Sequence, residues 1–326
     1  ISIGALTTLI STGGATQALF AAEAGATTIG LGAGAAGTLN LSEAELQAVG
    51  SDFDDLVIGV ATQQTGLVTA DDNGSLVLNN TNLVINADGV NGSFTQASDT
   101  PIDLTGGAGN AFTVNGDGDG TGGTTLAADV LTRGGAVLVD DAVTLGGAVL
   151  IDTTNGDAAG ASITIDGTSG GGTVNGGFDL SLDAGTGNTL TVDGAVDMSG
   201  AGVELNVVNA GTASFSADII VETLTVTQSG GATFDGWVQT TTVDLIDTAD
   251  GQPITFNGTL TTDDLTTSTG EAFEVEIFGN GSSVTNLVEF ENTGLVSVGD
   301  ANTDVVTFES GVTATADGRP RPPERL

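Results

Sequence analysis

Val137-Leu138-Val139-Asp140-Asp141-Ala142-Val143-Thr144-Leu145-Gly146-Gly147-Ala148-Val149-Leu150-Ile151-Asp152 holds one short phrase twice. An apolar residue, a variable one and a second apolar one are followed by Asp. The phrase returns as Leu76-Val77-Leu78-Asn79, Leu83-Val84-Ile85-Asn86, Phe112-Thr113-Val114-Asn115, Ile163-Thr164-Ile165-Asp166, Leu180-Ser181-Leu182-Asp183 and Leu190-Thr191-Val192-Asp193. Alternation sends one side chain inward and the next outward, so each phrase is a strand of three or four residues. Asp, Asn and Gly end it because they tolerate left-handed backbone and bond their own turn. No such strand buries a core alone. Stacked in rungs they do, which is the logic of a solenoid. The expectation is an all-β chain built as a parallel β-solenoid, a rod suited to display, spanning or assembly.

The main competitor is an array of β-sandwich domains. Asn-Gly occurs at Asn73, Asn91, Asn115, Asn155, Asn175, Asn257 and Asn280, and such pairs close antiparallel hairpins. Strand starts are irregularly spaced, so no strict period decides between the two. Short strands that are mostly not joined by two-residue turns favour parallel rungs.

Composition fits a thin core. The chain has 326 residues, with 52 Gly, 12 Phe, one Trp, five Pro and no Cys, Tyr or His. The supply of β-branched residues argues against disorder despite a net charge of −38. Against 42 acidic residues stand four Arg, three of them in the last eight residues, and no Lys. Phosphate backbones and anionic membrane surfaces are repelled by that sign, so no nucleic-acid partner is expected. No apolar run reaches transmembrane length, so membrane insertion is not expected either. The start at Ile1 fits processing or excision from a longer polypeptide.

Three regions are read. Residues 1–55 are Ala-rich and hold the two best helical stretches, Gln17 to Ala24 and Ser42 to Val49. The second carries a capping box, Ser42 with Glu45, and a staple pair, Leu41 and Leu46. It reads as a short helical insertion decorating a rung. Residues 56–315 are the solenoid body, in which Phe215, Phe234, Phe256, Phe273, Phe278, Phe290 and Phe308 are expected to stack inward between rungs. Residues 316–326 are a Pro/Arg tail, expected to be extended and unable to join a strand ladder.

The stretch from Gly37 to Leu46 (GTLNLSEAEL) followed by Leu56-Val57-Ile58-Gly59 resembles a recurrent unit of the filamentous-haemagglutinin-like, repeat-rich large bacterial exoproteins. The segments Val143 to Thr153, Leu180 to Leu190 and Thr293 to Asp300 look similar to repeats of the same proteins. The resemblance implies a right-handed parallel β-helix, secretion, and a fibrous or adhesive role at the cell surface. It carries no catalytic residues.

The residues themselves offer little for catalysis. Without His, Lys or Cys there is no general base near neutrality and no thiol nucleophile. Only carboxylates remain. Asn302-Thr303-Asp304 and Asp263-Asp264 look superficially similar to motifs of β-helix pectinases, but that family's His and basic substrate-binding residues have no counterparts here. The expectation is that the chain is not an enzyme. Calcium has a better case. Asp117 and Asp119 in Gly116-Asp117-Gly118-Asp119-Gly120, and the pair Asp140-Asp141, supply hard oxygen ligands, as do Asp54-Asp55 and Asp71-Asp72. None completes an EF-hand loop, and a solvated turn is the simpler reading of each. No cofactor is required.

Function then divides into three classes. The first is an extracellular structural solenoid that builds a filament, sheath or surface layer from copies of itself. The second is an adhesin stalk holding a cell-surface glycan or receptor. The third is a carbohydrate-active β-helix. End-to-end assembly is expected because a solenoid exposes unpaired backbone at its first and last rungs. Ile1 and Ile3 open an alternating strand start, and Arg319 and Arg321 could reach an acidic neighbour.

Overall fold

The computed structural model describes residues 17–21, 26–49, 53–79, 81–116, 122–157, 159–166, 173–314 and 320–321. The chain divides into two compact units, Ile1–Asn175 and Gly176–Leu326. Each is a parallel β-solenoid whose rungs contribute strands to three ladders.

In the first unit one ladder runs through Gln17–Phe20, Asp55–Ile58, Asn82–Ala87, Phe112–Gly116, Val137–Asp140 and Ile163–Asp166. A second holds Ile29–Leu31, Val68–Ala70, Ser93–Gln96, Gly123–Leu126, Val143–Leu145 and Thr173–Asn175. A third holds Leu76–Val77, Ile102–Asp103, Val130–Leu131 and Val149–Asp152. The described pairings are parallel, so the Asn-Gly pairs do not close hairpins. Asn73 and Asn91 are in turns at φ 54° and 61°, where an Asn side chain is tolerated, whereas Asn115 and Gly116 lie inside a strand.

The repeated phrase behaves as its alternation dictates. Phe112 and Val114, Val137 and Val139, Val149 and Ile151, and Ile163 and Ile165 are buried, while the residue between each pair is half-buried. The Asx that ends the phrase stacks on its counterparts. Asn86, Asn115, Asp140 and Asp166 are successive partners in one ladder. Asn115 Nδ2 donates to Asn86 Oδ1 at 2.8 Å, and Asn86 Nδ2 donates to the Gly59 carbonyl at 3.2 Å.

In the second unit one ladder joins Glu204–Phe215, Thr223–Val226, Thr242–Leu245, Asp264–Thr267, Val288–Phe290 and Val312–Ala314. The C-terminal part of Glu204–Phe215, paired on its other side with the end of Leu180–Val192, belongs to another, with Ala232–Phe234, Pro253–Phe256, Glu274–Ile277, Val296–Val298 and Pro320–Arg321. The third contains Ala195–Asp197, Ile219–Ile220, Val238–Gln239, Leu260–Thr262, Ser282–Val284 and Val306–Phe308. Inward stacking of Phe is realised here. Phe215, Phe234 and Phe256 are register partners with ring centroids 5.1 and 5.0 Å apart and planes within 15°. Phe273 and Phe290 are also buried, whereas Phe278 and Phe308 are half-buried. At the corners the rungs approach so closely that a Cβ on Gly258 would collide with the Gly236 carbonyl, and one on Gly279 with that of Gly258.

Two sequence expectations are corrected. Gln17 to Ala24 does not begin as a helix: Gln17–Phe20 is a strand in register with Asp55–Ile58. Ala18 is buried on Leu56, and Gln17 Nε2 donates to Asp55 Oδ2 at 3.2 Å. A ladder partner overrides a helical preference that is only a weak prior. The tail also enters a ladder, since Pro320–Arg321 pairs with Val296–Val298. Proline's missing N–H is tolerated at the first residue of an edge strand.

The other helical stretch forms as read. Helix α1, Glu43–Gln47, is capped by Ser42 with the reciprocal Glu45 contact in place, and Leu41 and Leu46 are buried. At five residues it is too short to persist alone, so its packing holds it.

Candidate functional site

Of the residues singled out for calcium, Asp117 and Asp119 lie outside the described residues. Asp140 and Asp141 are neighbours in sequence with different surroundings. Asp140 ends the strand Val137–Asp140 half-buried, in the Asx column. Asp141 is 5% exposed and turned into the fold, where its carboxylate accepts from Thr124 Oγ1 and from its neighbour Ala142 N, both at 2.8 Å. Among the described residues no group of three or more acidic side chains is gathered to hold a metal ion. Of the assembly candidates, Ile1, Ile3 and Arg319 lie outside the described residues. Arg321 is placed by its backbone opposite Ser297.

Of the residues compared with pectinase motifs, Asp304 closes its own turn and Asp264 is held from the next rung. Asp304 accepts from Asp300 N at 3.0 Å and Ala301 N at 2.7 Å. The Ala301 bond, then those from Asp300, outweigh desolvation and hold this carboxyl below its ordinary value of 3.8. Asp264 Oδ1 accepts from Asn286 Nδ2 at 2.8 Å.

The second unit also shows how so acidic a surface is tolerated. Carboxylates lie beside hydroxyl or amide donors one rung away. Thr255 Oγ1 donates to Glu276 at 2.8 Å, Thr269 Oγ1 to Glu291 at 2.7 Å, Asn257 Nδ2 to Asp235 at 2.7 Å and Ser216 Oγ to Asp193 at 2.8 Å. Thr225 and Thr266 make the same kind of bond to Glu204 and Asp244. A bond to an ionised acceptor is stronger than a neutral one. These pairs span 21 to 23 residues, a spacing that would have revealed them had the rung length been known in advance.

Two surfaces are open enough to engage something. At the last described rung, which also holds Pro320–Arg321, Val306–Phe308 pairs with Ser282–Val284 and Val312–Ala314 with Val288–Phe290, on one side each among the described residues. Beside them an apolar cleft of about 230 Å³ is lined by Phe290, Val296, Val298, Phe308, Val312 and Ala314. Val305 is 60% and Val312 42% exposed. The other surface is an outward row on the third ladder, Gln239, Thr261 and Ser283. There Trp237, 38% exposed, donates its Nε1–H to Thr261 Oγ1 at 3.2 Å.

Among the described residues no helix is long and apolar enough to cross a membrane, which says nothing of crossing by strands. No protein-family model, curated protein or solved structure matches the chain.

Proposed function

We propose that this chain is an extracellular structural solenoid whose rungs extend by stacking, building a filament, sheath or surface layer. The observation that carries the reading is the last described rung of the second unit. Among the described residues its strands Val306–Phe308 and Val312–Ala314 are paired on one side, and the apolar cleft between Phe290 and Val312 opens beside them. Such an edge takes another rung, because unpaired N–H and C=O groups template a neighbouring strand. A head-to-tail contact is heterologous, and its repetition gives an open filament. The acidic flanks oppose sideways association. The resemblance to large bacterial exoproteins supports an extracellular setting. The absence of His, Lys and Cys from the sequence supports a non-catalytic role. Electron microscopy of concentrated protein tests the reading. Chains one subunit wide are expected, and a uniform monomer at every concentration would count against it.

A second reading, an adhesin stalk that holds a glycan, is favoured by Trp237. A half-open indole beside hydroxyl and amide side chains has an apolar face and a polar handle. A glycan array on the parent and on Trp237→Ala tests it, with loss of binding in the variant expected.

A further inference from the structure

The Asn-Gly pairs close no hairpins among the described pairings, and the fold treats them unequally. In such a pair the glycine nitrogen can attack the asparagine side-chain amide, because no Cβ obstructs the approach. The reaction needs a glycine N–H that bears no bond and an Asn side chain free to turn.

At five pairs one or both conditions fail. Gly92 N donates to Gly89 O at 2.6 Å, Gly258 N to Phe234 O at 3.2 Å and Gly281 N to Val305 O at 2.9 Å. Asn257 Nδ2 is also held on Asp235 Oδ1 at 2.7 Å, and Asn280 Oδ1 accepts from Val305 N at 3.0 Å. Asn115 lies in a strand with Nδ2 on Asn86 Oδ1, and Asn175 Nδ2 donates to Thr173 Oγ1. At Asn73 the backbone N–H is on Asp71 Oδ1 at 3.4 Å, and the side-chain nitrogen is packed 2.7 Å from where Gly34 would carry a Cβ.

Asn155-Gly156 differs on each count. Both residues are exposed. They are the central pair of a turn that Asp157 N closes on Thr154 O. Gly156 has φ 93°, as the third residue of a type II turn requires. The fourth residue makes the bond of such a turn, so the N–H of the third is left over. Among the described residues nothing accepts from Gly156 N and nothing bonds the Asn155 side chain. A Cβ on Gly156 would meet only the Arg133 side chain, Cδ at 3.3 Å and Cγ at 3.9 Å, and no backbone.

We propose that Asn155 is a site of spontaneous modification, where the chain converts its own amide to a carboxylate with water as co-reactant. Gly156 N gives its proton to hydroxide and attacks Asn155 Cγ. The N–Cγ bond forms, the Cγ–Nδ2 bond breaks, and ammonia leaves with a proton taken from solvent. Water then opens the cyclic imide at either carbonyl, leaving Asp or an isoaspartyl residue. The sum is amide plus water to acid plus ammonia, with nothing oxidised or reduced. Each event adds a negative charge to this corner of the first unit, and the isoaspartyl form lengthens its backbone by one carbon.

The test holds the full chain at mildly alkaline pH, native and denatured, and maps its peptides by mass spectrometry over time. Denatured, the Asn-Gly pairs should convert at similar rates. Native, Asn155 should keep close to its denatured rate, while Asn91, Asn115, Asn257 and Asn280 fall behind by about tenfold or more, since a bond must break first. Labelling by an isoaspartyl methyltransferase should mark the Asn155 peptide and vanish from it in Asn155→Gln, whose side chain closes a larger ring more slowly. Native protection of Asn155 equal to that of the bonded pairs would overturn the proposal. So would equally fast native conversion at Asn257 or Asn280, or methyl label that survives Asn155→Gln. The readout is one peptide, so it does not depend on whether the chain assembles.

Discussion

The two units solve one problem differently. The described strands of the first unit are no longer than the six residues of Asn82–Ala87, whereas the second also holds Leu180–Val192 and Glu204–Phe215. A turn of the first unit takes anything from 19 residues, Thr124 to Val143, to 39, Ile29 to Val68. In the second the range is narrower, from 19 residues, Leu224 to Val243, to 26, Asp183 to Asn209. The difference lies in the corners. In the first unit extra corner backbone is met by buried amides: Gln64 Nε2 donates to Thr27 O and Gly66 O, and Gln96 Nε2 to Thr100 O and Asp129 O. In the second, like side chains fall into columns, of which Phe215, Phe234 and Phe256 are the clearest, while glycine closes corners in both units, Gly135 against the Asn110 carbonyl in the first and Gly258 against that of Gly236 in the second. A solenoid needs register only in its strands. Corner length is free to vary, provided every buried polar group it brings inside finds a partner.

That contrast can be broken by mutation. The largest effect is expected at Phe234→Ala, which empties the middle of the aromatic column and should cost about 3–5 kcal/mol. Denaturant unfolding checks it, and a loss under 1 kcal/mol would mean that the column does not hold the second unit together. Next comes Gly258→Ala. The new methyl meets the Gly236 carbonyl, so the rungs must separate, at up to about 3 kcal/mol by the same measurement. A neutral result would show that these corners yield without cost. Gln96→Ala should follow at about 2 kcal/mol, because it strands the Thr100 and Asp129 carbonyls. Gln96→Glu, which cannot donate when ionised, should be no better tolerated.

Much of this was legible in the sequence, and what was not has a physical cause. Alternation within Val137-Leu138-Val139 and its relatives gave the strands and their inward faces. Ser42 and Glu45 gave α1. The third ladder was harder to see, because strands such as Val130–Leu131 and Val238–Gln239 are two residues long and carry no period. Gln17–Phe20 was misread because its Ala-rich setting suggests helix, while its strand partner is 38 residues away. The cross-rung pairs, such as Thr255 with Glu276, depend on a variable rung length. The bonds between Val77 and the side chains of Glu43 and Gln47 were hidden because that pairing is fixed only by the tertiary fold.

The smallest expected effect is a pH response at the turn around Asp304. Its folded-state pKa is lowered, chiefly by the Ala301 amide. Its contribution is therefore fully present above the ordinary carboxylate value and is lost as pH falls through the lowered one. An NMR titration of the Ala301 amide should show a midpoint below 3.8. A midpoint at or above that value would mean that the turn does not hold the carboxylate.

Whether rungs add to rungs is tested most directly by fibre diffraction from concentrated, aligned protein. Stacking of one solenoid on the next places the strands across the fibre, so the strand spacing of about 4.7–4.9 Å should fall on the meridian. That reflection should come from filaments one subunit wide. Protein that stays monomeric, or that gives fibres with the strand spacing on the equator, would contradict assembly through the rung edges.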